Sequence, residues 1–155
     1  MHREPFSVGI DLLKALLRHD RPVIAVGTTS IRTLESLYYV GVHILEKGHP
    51  DDVDQWEPYT RAYSYSLEEA LQAIITYLDT NQLDALEVGT RIIIVPGFPF
   101  RLVDILVTNF HQPESTLILL VSAFVGGDWR NIYDYALAHD FRFLSYGDSS
   151  VLWRP

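Results

Sequence analysis

Three short segments of this 155-residue chain place hydroxyls, an imidazole, a carboxylate and glycine at spacings that suit small-molecule chemistry. The first is Gly27-Thr28-Thr29-Ser30-Ile31-Arg32. It follows the apolar run Val23-Ile24-Ala25-Val26 and precedes helical spacing at Ile31, Leu34, Leu37 and Tyr38. A strand that ends in a glycine turn aims backbone N–H groups and hydroxyls beyond the sheet edge, and the next helix adds partial positive charge there. Three consecutive hydroxyls suit a ribose, a carboxylate or a phosphate. A structural reading stands beside this one, in which Thr29 or Ser30 merely caps the helix. The segment is neither a P-loop nor a three-glycine dinucleotide fingerprint.

The second segment is Thr108-Asn109-Phe110-His111, at the end of another apolar run. In open α/β sheets, ligands bind beyond the carboxyl ends of strands. A neutral imidazole is a competent general base near pH 7, and Asn109 can orient a substrate through donor and acceptor together. The alternative is a structural histidine bonded to a loop carbonyl. Ser145-Tyr146-Gly147-Asp148 is the third segment, a turn holding one phenol and one carboxylate. Asp in such turns usually bonds its own backbone. His2-x-Glu4 is weaker still, because chain ends fray. The six histidines show no zinc spacing, and no Gly-x-Ser-x-Gly elbow is present.

Elements able to position these segments follow from periodicity. Ser7 to Asp20 predicts an amphipathic helix, and Val23–Val26 a strand covered on both faces. A second strand is expected at Arg91–Val95, closed by Pro96-Gly97-Phe98-Pro99, and a third at Leu102–Val107. Helices are predicted over Ser115–Phe124 and from an Asp128 cap to His139, and terminal strands at Phe141–Leu144 and Val151–Trp153. Strand, glycine-bearing turn, helix is the first half of a βαβ unit, which points to an α/β domain.

The formal charge of −8 is confined. Ten acids between Ile44 and Glu87 face only Lys47 and Arg61, and the remainder is neutral. Glu46–Thr60 reads as a loop. Ser66-Leu67-Glu68-Glu69 reads as a capping box opening a helix to about Asp79. The whole acidic stretch, about 44–87, reads as an insertion at the sheet's periphery. Cysteine is absent, which excludes disulfides and thiolate metal sites. No apolar run reaches the ~20 residues that span a bilayer, so cytoplasm is the expected compartment and no membrane partner is expected.

The motifs together resemble S-adenosylmethionine:tRNA ribosyltransferase-isomerases of queuosine biosynthesis. The likeness rests on Val26 to Glu35, Thr108-Asn109-Phe110-His111 through Ser115-Thr116-Leu117, Leu120 to Phe124, and Phe141 to Asp148. Pro96-Gly97-Phe98-x-Phe100 and His2-x-Glu4 are similar to shorter family motifs. The resemblance implies a Rossmann-like α/β domain, an open sheet with helices on both faces, over residues 1–155. It also implies that the family's β-barrel and most of its N-terminal portion are absent, so the chain is expected to be a C-terminal fragment or one piece of a split protein. The implied reaction transfers the ribosyl group of S-adenosylmethionine to a 7-aminomethyl-7-deazaguanine base in a tRNA anticodon and isomerises it. Epoxyqueuosine, adenine and methionine are the products, and no metal is needed.

Carried onto this sequence, the resemblance makes His111 the base that removes the acidified C5′ proton, or an orienting group. Tyr146 would donate to departing adenine, and Asp148 would pair with an ammonium. Gly27, Thr28, Thr29, Ser30, Arg32 and Asn109 would hold the co-substrate, with Arg32 and the hydroxyls on its carboxylate or ribose. Arg91, Arg101, Arg130 and Arg142 are candidates for tRNA phosphates, and Trp129, Tyr133 and Tyr135 for a base platform. The alternative function is a non-catalytic binding module that a partner chain completes.

Overall fold

Pairing between distant segments decides how the chain begins. In a computed structural model describing residues 1–155, Glu4–Gly9 forms strand β1. It runs antiparallel to β3 (Ala85–Thr90), from Glu4 opposite Thr90 to Gly9 opposite Ala85. The helix expected from Ser7 starts later, as α1 (Ile10–Arg18). Phe6 and Val8 turn inward while Pro5 and Ser7 face out, so a period-two pattern had been hidden inside a helical one. The strand expected at Arg91–Val95 lies instead at β3. Arg91 and Ile93 bond the irregular backbone of Val53 and Gln55, which offers no continuous ladder.

A second sheet has the order β2–β4–β5, from β2 (Ile24–Val26), β4 (Ile105–Asn109) and β5 (Ser149–Trp153). β2 and β4 are parallel, and β5 is antiparallel to β4. The expected single sheet is thus two small open sheets, and neither closes into a barrel. The third strand starts later than Leu102. Phe141–Leu144 forms no strand, because Leu144 adopts a φ of 68° and Asp148 ties the segment into a turn.

Helices α2 (Thr28–Lys47), α3 (Leu67–Thr80), α4 (Thr116–Val125) and α5 (Trp129–Ala138) complete the fold. Ser66 caps α3 as expected, its Oγ accepting the Glu69 N–H at 3.0 Å. Asp128 precedes α5 but makes no side-chain cap bond. α3 is not peripheral: Leu71, Ile74 and Leu78 are fully buried against α1 and α2. Each such side chain contributes about 1.5–3 kcal/mol of burial. A Cβ on Gly41 would collide with the backbone of Ala70, so glycine sets the close α2–α3 approach.

The two faces of the β2–β4–β5 sheet differ. Ala25, Leu106, Thr108 and Leu152 are buried beneath the helices. The opposite face carries Ile24, Val26, Ile105, Val107, Val151 and Trp153, aligned by register. Val26 is 67% exposed and Trp153 62%. Helices therefore cover this sheet on one side only, which corrects both the doubly covered strand and the two-faced arrangement expected above. No helix is long and apolar enough to cross a membrane.

Candidate functional site

Strand direction brings the three chemistry-bearing segments to one edge. β2 and β4 run in parallel with Val26 beside Val107, so Gly27 and Asn109–His111 leave the sheet at the same end. β5 runs the other way and starts at Ser149 opposite Asn109, which delivers Ser145–Asp148 to that end too. The loops are stitched together. Gly27 N–H donates to Val107 O at 2.8 Å, Leu144 N–H to Phe110 O at 2.7 Å, and Ser149 Oγ to Asn109 Oδ1 at 2.7 Å.

At this edge α2 and α4 begin without side-chain caps. Gly27, with φ at 94°, occupies the cap of α2, and Thr28, Thr29 and Ser30 make no cap bond. Ser115 precedes α4, makes no cap bond, and its Oγ is buried without a partner. Neither helix has an acid in its first turn. The first N–H groups of each helix lack intrahelical acceptors, so these ends keep donor capacity and partial positive charge.

His111 lies on the connection from β4 to α4. Its Nε2 lies 3.1 Å from Thr108 Oγ1, and its backbone N–H donates to Tyr133 Oη at 3.1 Å. Burial pushes its pKa below the ordinary histidine value, so the ring is neutral near pH 7. Asn109 serves the loop scaffold, accepting from Ser149. Tyr146 is 97% exposed. Asp148 Oδ2 accepts the Arg142 N–H at 2.8 Å, so one carboxylate oxygen braces its own turn. A Cβ on Gly147 would strike the Arg142 carbonyl, which explains the glycine between them.

Arg32 departs from the expected constellation. Its side chain is 4% exposed and turned inward, where Nε donates to Ile92 O at 3.0 Å and Nη1 to Glu4 Oε1 at 2.5 Å. Glu4, which chain-end fraying had discounted, is therefore a buried arginine's counter-charge. Among the candidate phosphate contacts, Arg101 is engaged within the fold, its guanidinium 3.9 Å from the Tyr38 ring centroid and bonded to Tyr39 Oη. Tyr133 belongs to the core rather than a surface platform. Arg91, Arg130, Arg142 and Tyr135 remain exposed.

Glu35 was not singled out in sequence, yet its carboxylate organises the approach to β4. Its oxygens accept N–H groups of Arg101, Leu102 and Val103 at 2.9–3.0 Å. Burial raises its pKa, and the three backbone donors oppose that shift. Only its place in the matching block hinted at importance, since a lone helical Glu otherwise reads as surface. A groove of about 650 Å³ lies between α3 and the far end of α2, lined by Ile44, Gly48, Ala73 and Tyr77 among others. At 1.5 Å per residue it is about 24 Å along α2 from the edge, remote from His111. No three metal-ligating side chains gather anywhere.

Residues 1–152 match the family model described as queuosine biosynthesis protein. The chain belongs to that family. A crystal structure of the S-adenosylmethionine tRNA ribosyltransferase from Thermotoga maritima superposes with a TM-score of 0.60 at 30% sequence identity. The match covers 96% of this queuosine biosynthesis family member but only 40% of the Thermotoga chain. The chain therefore spans well under half the length of that relative.

Proposed function

We propose that this chain supplies the S-adenosylmethionine-binding, catalytic α/β part of a tRNA ribosyltransferase-isomerase. The reaction moves the ribosyl group of S-adenosylmethionine to a 7-aminomethyl-7-deazaguanine in tRNA, giving epoxyqueuosine with release of adenine and methionine. The observation that carries this reading is that Gly27 with the uncapped start of α2, and the His111 connection leading to the uncapped α4, leave one sheet edge together. Backbone donors at Gly27–Ser30 suit the co-substrate's carboxylate or ribose oxygens, each such contact with an anion stabilising by about 0.3–1 kcal/mol. His111 acts on the co-substrate as base or orienting group, and Tyr146 is free to donate to departing adenine. Asn109 and Asp148 brace the loops, and Arg32 stiffens the base of α2 rather than touching the co-substrate. The exposed Arg130 and Arg142 suit tRNA phosphates. A cytoplasmic setting follows from a tRNA substrate.

A second reading is favoured by the bare apolar sheet face and the partial coverage of the relative. In it the chain binds the small molecule and needs further polypeptide for turnover. Calorimetry with S-adenosylmethionine, followed by adenine release with precursor tRNA, separates the two. Binding with release supports catalysis by this chain, and binding without release supports the module. Absence of binding contradicts both, and near-normal turnover in His111→Ala removes His111 from the mechanism.

A further inference from the structure

Thr108 lies in β4 with its side chain on the covered face, and the residue is 4% exposed. Its Oγ1 has one hydrogen-bonding neighbour, His111 Nε2 at 3.1 Å. The bond that Ser150 Oγ makes nearby goes to the Thr108 main-chain carbonyl and leaves the hydroxyl unaffected. A buried hydroxyl must place its proton on an acceptor, because an orphaned donor away from water is costly. The only acceptor within reach is the Nε2 lone pair. Were Nε2 protonated, the hydroxyl would be reduced to accepting, and its own proton would have no partner. The neutral ring then carries its single proton on Nδ1. Nδ1 has no protein partner and is not sealed from solvent. Tyr133 Oη accepts the His111 backbone N–H, and the Tyr133 ring packs on Phe110 and Phe143, which fixes the main chain from which the imidazole projects.

We propose that Thr108 is a positioning residue that fixes His111 as the Nδ1–H tautomer, so that the resting site presents a hydrogen-bond donor at the sheet edge and not a free lone pair. The group it would meet is an acceptor on the ligand, such as a carboxylate or ribose oxygen or a ring nitrogen. This resolves the choice left open between base and orienting group in favour of orientation, and only that consequence rests on the proposed function. The tautomer itself stands independently of any ligand.

Long-range proton–nitrogen correlation of the imidazoles in the intact chain, without ligand and at neutral pH, tests it. His111→Gln identifies the resonances among the six histidines. The Nδ1–H form should exceed the Nε2–H form by about tenfold, as one net hydrogen bond allows. Thr108→Ser should keep that preference, while Thr108→Val should shift the ring toward Nε2–H. A merely structural role for Thr108 would leave the tautomer unmoved. A wild-type His111 found as Nε2–H, or an unchanged ratio in folded Thr108→Val, overturns the proposal. If Thr108→Val does not fold, the wild-type and Thr108→Ser spectra decide it. Failure to bind S-adenosylmethionine with the Nδ1–H form observed counts against the proposed function alone.

Discussion

α3 starts in one way, and α2 and α4 in another. Ser66 closes the N-terminus of α3, Glu68 and Glu69 sit in its first turn, and its apolar stripe is buried. That end meets part of its donor demand from its own residues and is disfavoured for an anion by its two acids. α2 and α4 begin on an uncapped glycine and on a serine whose hydroxyl has no partner, beside a histidine and on a sheet whose other face is bare. The acidic half of the molecule uses its polar groups on itself, whereas the edge of the β2–β4–β5 sheet keeps donors in reserve. Unspent local stabilisation is a mark of function, because folding alone would favour closing those ends.

The largest expected effect lies at the junction of the two halves. Glu35→Ala strands two buried N–H groups and a part-buried third, and should cost roughly 3–5 kcal/mol in denaturant unfolding. A loss under about 1 kcal/mol would mean that the Arg101–Val103 segment is held by something else. The helix starts give the next test. Ser66→Ala should cost about 1 kcal/mol, and Ser115→Ala or Thr28→Ala should stay within about 0.5 kcal/mol. Equal losses at all three positions would erase the contrast.

A pH effect belongs to the acidic half. His43 is buried on α2 with Nε2 2.5 Å from Glu57 Oε1 and Nδ1 3.1 Å from Asp51 O. Burial pulls its pKa down, but the Glu57 hydrogen bond and charge outweigh that and leave it raised. A raised folded value stabilises the protonated form. That contribution is therefore complete below about pH 6.5, the unfolded value, and disappears as pH rises through the folded one. Thermal melts should show this loss in the wild type and not in His43→Gln. Smallest is the bare face, where Val26→Ser with Trp153→Ser should change stability by no more than about 0.5 kcal/mol per site while reducing binding of an apolar dye.

How much of this was legible in sequence depended on whether local or distant partners decide the structure. The Ser66 cap and the α3 stripe are local, and both were readable. The glycine turn after β2 and the Asn109–His111 exit from β4 were readable as the ends of apolar runs. β1 was not, because its pattern becomes a strand only when β3 pairs with it across some 80 residues. Arg32 misled for a related reason: a helix N-terminal arginine near hydroxyls suits an anion, and only the fold shows Glu4 already beside it. Sequence likewise could not show that one sheet face is uncovered, since exposed and buried strands carry the same β-branched residues.

The most direct test is to follow backbone amides of the isotopically labelled chain while S-adenosylmethionine is added. The account predicts saturable shifts concentrated at Gly27–Ser30, Asn109–His111 and Ser115–Leu117, with the α2–α3 groove around Ala73 and Tyr77 unaffected. Shifts centred on that groove, or none at any attainable concentration, would contradict it.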